Sequence, residues 1–462
     1  MTSVPTTPTR DDAGEKGTSR PGPRPRQHIG LIVAASLFIG LVVGLLLVAA
    51  PFIPAEESKV TGALLCGFAF GWATLAALST RFSDQPQRWA AVPALFMGIS
   101  GLLLLAFGSS VQGVLSWIWP PALLVLVVWM IVRSRQQLRS GSRWLLYPVF
   151  GVLLLASVGG IYETASGALD ASPYPMPGEL IDVGGHRLHL SCTGSGSPTV
   201  VLQAGGGEMS SAFGWIAPAV AGETRVCVYD RAGRGWSEPA ESPQDAAQIS
   251  SDLHTLLERG DIPGPYLLAG HSFGGLYVLT FAALYPDDVS GLVLIDTTAP
   301  ATGAPAEAAP GSNGGSYDLP GRISALLSSS ARIGLGRLIA LADYGSLPPL
   351  SRDEIRASAA TASNAKSTLD EYIQAGKSAE QAATLADFAD KPLVVLTAGV
   401  GSSAAWMTAR EDLATLSTNS SHRVIDGATH AGLVHDEQYA AETTQAILEV
   451  VSSIRIDEPR PR

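Results

Sequence analysis

At 462 residues, with 46% hydrophobic composition and a mean hydropathy of +0.23, the chain is too long for one small domain and too apolar to be wholly soluble. A formal net charge of −11 disfavours nucleic acid as a partner, and three cysteines are too few for a disulfide scaffold.

In chain order, the Pro-rich stretch Thr6–Pro25 predicts a disordered cytoplasmic tail over residues 1–27. Five uncharged stretches follow within residues 28–162: Ile29–Ile53, Val60–Leu78, Trp89–Phe107, Val114–Val132 and Trp144–Ile161. Each is long enough to cross about 30 Å of hydrocarbon as a helix, and none shows the polar residue every third or fourth place that a soluble core helix carries. Val48-Ala49-Ala50 resembles a signal-peptide cleavage site, but the long apolar run and four further spans favour a retained anchor. Pro120 and Pro121 make the fourth span the weakest.

Lys and Arg near span ends resist translocation. Arg10, Lys16, Arg20, Arg24 and Arg26 precede the first span; Arg81 and Arg88 lie between the second and third; Arg133, Arg135, Arg139 and Arg143 lie between the fourth and fifth. All fall on one side of the bilayer, so the tail is expected inside and everything after the fifth span outside. The expected location is the cell membrane, multi-pass, with the bilayer itself as a partner. Residues 1–160 carry a net charge of +6 and the remainder −17. Cys66 lies within a span; Cys192 and Cys227 fall on the outer part, where a bridge and two buried thiols are both open readings.

After a linker over 163–177, residues 178–455 change to short β-rich runs between glycine turns and helices. Glu179–Val183 and His186–Cys192 read as a hairpin across Gly184-Gly185; the next strands are Thr199–Leu202, Arg225–Tyr229, Tyr266–Ala269, Gly291–Ile295, Pro392–Thr397 and His422–Ile425. Nearly continuous apolar strands alternating with helices such as Ala246–Arg259 and Tyr439–Val451 predict an α/β fold with a mostly parallel, doubly wound sheet. Reactive groups then gather at the strand carboxyl ends. Gly270-His271-Ser272-Phe273-Gly274 follows one such strand and opens a helix, the context of a nucleophile elbow. Glycine is needed two residues either side of the serine because a Cβ there would strike the neighbouring strand or helix.

Three more stretches carry a family resemblance. Val200-Val201-Leu202-Gln203-Ala204-Gly205-Gly206, the loop Tyr229-Asp230-Arg231-Ala232-Gly233-Arg234-Gly235-Trp236-Ser237 and Gly427-Ala428-Thr429-His430 stand in the order found in α/β-hydrolases. Residues 178–454 resemble that superfamily, serine esterases and lipases in particular. The resemblance implies Ser272 as nucleophile, His430 as base, and backbone N–H groups of Gly206 and Phe273 as oxyanion donors. Many relatives carry the acid after the strand that precedes the histidine strand, yet Gly399–Ser403 holds no carboxylate. Asp296, closing the strand Leu292–Ile295, is assigned instead, as in some hydrolases of this fold; Glu411 and Asp412 read as a solvated helix face. His271 is expected to pack beneath the elbow, Glu208 to be solvated, and Asp230 and Arg231 to tie down a loop. An insertion over about 297–391, opened by the low-complexity stretch Ala301–Ser316, resembles a helical cap, for which Leu326, Leu338 and Leu341 suit a greasy roof.

No histidine or cysteine cluster has zinc-ligand spacing and no glycine loop ends in a phosphate-cradle Lys-Ser, so no metal or cofactor is expected. The leading expectation is a membrane-anchored serine hydrolase that cleaves small-molecule or lipid-like esters through an acyl-Ser272 intermediate. An acyltransferase using the same triad and a catalytically inactive membrane receptor or scaffold are the alternatives.

Overall fold

A computed structural model describes residues 29–457, apart from 139, 171–174, 241, 301–317, 341–343 and 345. The expected tail over 1–27, the stretch Ala301–Ser316 and Leu341 lie outside the described residues. The uncharged runs form five helices long and apolar enough to cross a membrane: α1 (Ile29–Val48), α2 (Glu57–Phe82), α3 (Ala91–Phe107), α4 (Ser109–Gln137) and α5 (Tyr147–Asp170). Helix α5 runs on through residues 163–170, the first half of the expected linker.

Helix α4 continues through Pro120 and Pro121. The missing N–H of Pro120 leaves the carbonyl of Ser116 without its intrahelical donor, and the Thr164 hydroxyl of α5 supplies one at 3.0 Å. Between α1 and α2 the contact is made by glycine. A Cβ on Gly67 would stand 2.1 Å from the Gly44 Cα, and one on Gly40 would stand 2.8 Å from the Gly71 Cα. Each helix thus presents a Gly-x-x-x-Gly pair, and the backbones meet where no side chain fits. Gly67→Leu forces the two helices apart and is expected to cost about 1–3 kcal/mol or more, read as a lower melting temperature of the full chain in detergent micelles.

In the second half an eight-stranded sheet has the order β1-β2-β4-β3-β5-β6-β7-β8. Its strands are β1 (Glu179–Asp182), β2 (Arg187–Thr193), β3 (Thr199–Gln203), β4 (Val226–Tyr229), β5 (Tyr266–His271), β6 (Val289–Ile295), β7 (Leu393–Ala398) and β8 (Ser420–Ile425). Only the β1–β2 and β2–β4 pairings are antiparallel. Alternation along the strands serves two cores. Leu268, Leu292, Leu294 and Val395 face α7 (Ala246–Arg259) and α8 (Phe273–Leu284), whereas Leu267, Val293, Ile295 and Leu396 face α6 (Ile216–Ala221) and α13 (Glu437–Asp457). Cys192 and Cys227 stand directly opposite on β2 and β4 and are joined in a disulfide.

Between β6 and β7 the chain leaves the sheet and forms α9 (Leu319–Ala331), α10 (Pro349–Ala359) and α11 (Ala362–Ala382) before α12 (Ala404–Ala414) follows β7. Helices α10 and α11 lie over the loops after β3 and β4: Ser211 donates to Glu354 at 2.6 Å, the Gly235 amide to Ser358 at 3.0 Å, and Arg234 to Thr368 at 2.9 Å. Helix α9 turns the other way, onto the mouth of the helix bundle. The Arg322 guanidinium donates to the carbonyls of Val48 and Ile53 at 2.5 and 2.6 Å, Thr61 meets Ser329 at 2.7 Å, and Arg332 pairs with Glu57. Leu326 packs there with Val48, Ile53, Val60 and Ala63, and Leu338 is 64% exposed. Neither forms a greasy roof; of the two uses open to such leucines, Leu326 takes packing, against the bundle.

Candidate active site

Strand β5 delivers Ser272 to the start of α8 with φ +55° and ψ −120°, a left-handed-side conformation that costs an L-residue free energy and lifts the side chain off the sheet. The turn is closed by hydrogen bonds from the Ser272 amide to Ile295 and from the Thr298 amide to the Ser272 carbonyl, at 3.0 and 3.1 Å. A Cβ on Gly270 would lie 2.5 Å from the Gly274 carbonyl oxygen, and one on Gly274 would lie 2.3 Å from that of Gln203, so both glycines are required by contact.

Asp296 is the first residue beyond β6 and also has positive φ, +42°. Its carboxylate is 2% exposed; Oδ2 lies 2.6 Å from His430 Nδ1 and Oδ1 accepts the Trp406 indole N–H at 2.9 Å. Arg410, wholly buried, lies over the Trp406 ring with its Nε 3.8 Å from Asp296 Oδ1. Burial opposes ionisation of Asp296, but the bonds from His430 and Trp406 and the Arg410 charge prevail and hold the carboxyl below its ordinary range. Burial pulls the Arg410 guanidinium down to about 10, against the Asp296 charge. Trp406 and Arg410, one turn apart on α12, are supporting residues that the sequence reading missed; the cue was a Trp and an Arg at i, i+4 in the helix after the acid-free loop. Glu411 and Asp412 on that same helix are exposed, as expected.

His430 sits in the loop between β8 and the turn at Gly432–His435, with its ring centroid 4.7 Å from that of His271, the residue before Ser272. Ser272, Asp296 and His430 therefore collect at the carboxyl edge of β5, β6 and β8. Gly206 lies against Phe273: a Cβ on it would stand 2.9 Å from the Phe273 ring. Its neighbours' amides are held by carboxylates, Gly205 by Glu208 at 2.9 Å and Gly207 by Glu371 of α11 at 3.0 Å.

Glu208 is built into the site rather than solvated. Its oxygens lie 3.2 Å from His271 Nδ1 and 3.1 Å from His435 Nε2. Burial would favour the neutral acid, but the two histidines outweigh it and hold the carboxyl well below the usual carboxylate range. Arg231 and Arg234 are buried on either side of Glu371, Arg231 Nε at 2.6 Å and Arg234 Nη2 at 2.5 Å, and Arg231 also donates to the carbonyls of Ala204 and Gly205. Asp230 ties its own loop by accepting from the Trp236 amide at 3.3 Å, and joins it to the β3 loop and β2 by accepting from the Ser210 amide at 2.7 Å and lying 2.9 Å from His189 Nδ1. A cavity of about 70 Å³ adjoins the Gly207–Met209 loop and is lined by Glu208, Tyr344, Ile355, Asn364 and His435 among others. Among the described residues no cluster of histidine, cysteine and carboxylate has the makings of a metal site.

The family model described as alpha/beta hydrolase fold matches residues 198–436, more than half of the chain. The chain belongs to the α/β-hydrolase fold family. Curated relatives include an uncharacterized protein of Schizosaccharomyces pombe, 34% identical over 29% of this chain and 30% of its own length. A 2-hydroxy-6-oxononadienedioate/2-hydroxy-6-oxononatrienedioate hydrolase of Cupriavidus pinatubonensis is 34% identical over 27% of this chain and 43% of its own length. This α/β-hydrolase thus spans less than half the length of such relatives. Among solved structures, the enol-lactonase from Burkholderia xenovorans LB400 aligns at 21% identity over 59% of this chain and 100% of that one, with a TM-score of 0.45.

Proposed function

We propose that this α/β-hydrolase is a membrane-anchored serine hydrolase that cleaves carboxylic esters. The 2.6 Å contact between His430 Nδ1 and the buried Asp296 carboxylate, at the sheet edge where the elbow presents Ser272, carries the reading. In this scheme Asp296 fixes the proton on Nδ1, which leaves Nε2 as the base that takes the Ser272 proton during attack on the ester carbonyl. The amides of Gly206 and Phe273 receive the negative charge that develops on the carbonyl oxygen. The imidazolium returns its proton to the leaving alcohol, and water then resolves the acyl-Ser272 ester by the same steps in reverse. No step calls for a cofactor.

The topology proposed puts this domain outside the cytoplasm, anchored by α1–α5. Two observations support it: the described basic residues Arg81, Arg88, Arg133, Arg135 and Arg143 lie on the opposite side from the α1–α2 and α3–α4 connections, and the Cys192–Cys227 disulfide suits an oxidising compartment. Helix α9, seated on the bundle mouth, brings the insertion between β6 and β7 close to the membrane surface, which favours lipid-like esters.

A membrane-impermeant fluorophosphonate applied to intact cells is expected to label the full chain, with labelling lost in Ser272→Ala. Labelling only after lysis would reverse the topology. Ser272-independent labelling, or none in folded protein, would sink the hydrolase reading in favour of a receptor or scaffold.

A further inference from the structure

We propose that Glu208 is a positioning residue that sets the base loop and the oxyanion loop together, acting through His271; this rests on the serine-hydrolase reading above. The buried imidazole of His271 lies with Nδ1 3.2 Å from Glu208 Oε2 and Nε2 3.1 Å from the backbone carbonyl of His430. A carbonyl only accepts, so Nε2 carries a hydrogen. At its other end the ring meets Glu208, so one imidazole spans from the carboxylate to the base loop. The same Oε2 accepts the amide of Gly205, and Oε1 lies 3.1 Å from His435 Nε2.

One carboxylate therefore joins three segments distant in sequence: the oxyanion loop after β3, the elbow after β5, and the base loop after β8. The fit is close. A Cβ on Gly205 would stand 2.7 Å from Glu208 Oε2 and 2.9 Å from His271 Nδ1, so the oxyanion loop reaches this pair only as glycine. Because His271 precedes Ser272 and holds the carbonyl of His430 itself, removing the carboxylate releases the base loop from the elbow while also freeing the Gly205 amide. Displacements on the order of 1 Å at reacting groups cost about 10²-fold in rate, whereas substrate contacts made elsewhere are untouched. The expected signature is a loss in kcat without a matching rise in KM.

The test uses the full chain in detergent micelles. Glu208→Ala removes both carboxylate oxygens, so the Gly205 amide and His271 Nδ1 lose the oxygen they share. It is expected to lower kcat on a p-nitrophenyl ester about 10- to 100-fold with KM within about twofold. Amide hydrogen exchange is expected to accelerate together in residues 203–209 and 426–432, with other segments unchanged. His271→Gln, whose amide retains a donor for the His430 carbonyl, is expected to keep more activity than His271→Ala, a difference that lost packing alone does not predict. Wild-type kcat in Glu208→Ala, a rise in KM in place of the fall in kcat, or faster exchange in one loop or in neither would overturn the proposal. Should the wild-type chain hydrolyse no ester, the activity reading fails by itself, and the paired exchange of the two loops still decides the role of Glu208.

Discussion

Asp296→Asn is expected to lower kcat by about 10³- to 10⁴-fold while the domain stays folded. The size follows from which oxygen each partner uses. Oδ1 accepts the Trp406 indole N–H and faces Arg410, and Oδ2 meets His430 Nδ1. An asparagine places its single carbonyl oxygen where the Trp406 indole N–H and the Arg410 charge demand it, so its NH₂ group points at His430. The imidazole must then accept at Nδ1 and carry its hydrogen on Nε2, the wrong tautomer for removing a proton from Ser272. The barrier rises by about 4–5.5 kcal/mol, with little cost to the fold because the substituted side chain has the same shape. The measurement is kcat on a soluble ester beside a thermal melt of the full chain. Adding Trp406→Phe to Asp296→Asn removes the indole donor that fixes the amide and is expected to restore part of the rate. Near-normal activity in Asp296→Asn would take the acid's role from this residue.

Glu371→Ala is expected to cost about 3–5 kcal/mol of stability, the largest loss from a single change in the hydrolase domain. Glu371 is 5% exposed and is the one carboxylate between the buried guanidiniums of Arg231 and Arg234. Without it two desolvated positive charges face each other, and the Gly207 amide loses its acceptor. A melting temperature lower by about 10 °C is the expected result. Burial favours the neutral acid, but both arginines hold the Glu371 carboxyl below its ordinary value. A depressed carboxylate contributes stability in full above its unfolded pKa, about 4.3, and loses it as pH falls through the lower folded value. The gap in melting temperature between wild type and Glu371→Gln is therefore expected to be widest above about pH 5 and to narrow below about pH 4. A gap that widens on acidification would contradict the ionised clamp.

Glu371 also shows why part of the site stayed hidden in the sequence. The Arg231–Arg234 loop was legible as a loop to be tied down, but nothing in Ala362–Ala382 marks one acid among polar helix residues as the partner, 140 positions away in the chain. Trp406 and Arg410 were hidden for the same reason: helix periodicity says which face an α12 residue occupies, not that this face meets the end of β6. Glu208 looked like a solvated acid beside a glycine loop, and only the return of His271 and His435 to the same place makes it a junction. Leu326 suited a roof and plain packing equally, because an apolar helix face declares that it will be covered without saying by what.

By itself the amino-acid order determined what local physics can enforce. Uncharged runs had to become long helices, the form in which an apolar segment satisfies its backbone hydrogen bonds within itself. Nearly continuous apolar strands had to be covered on both faces, and Gly270 and Gly274 had to flank a bend too tight for any Cβ. The tertiary structure alone decided which carboxylate meets His430, which acid binds the paired arginines, and that α9 sits on the bundle mouth. Those choices depend on contacts between segments tens to hundreds of residues apart, and their energies exist only once the chain has closed.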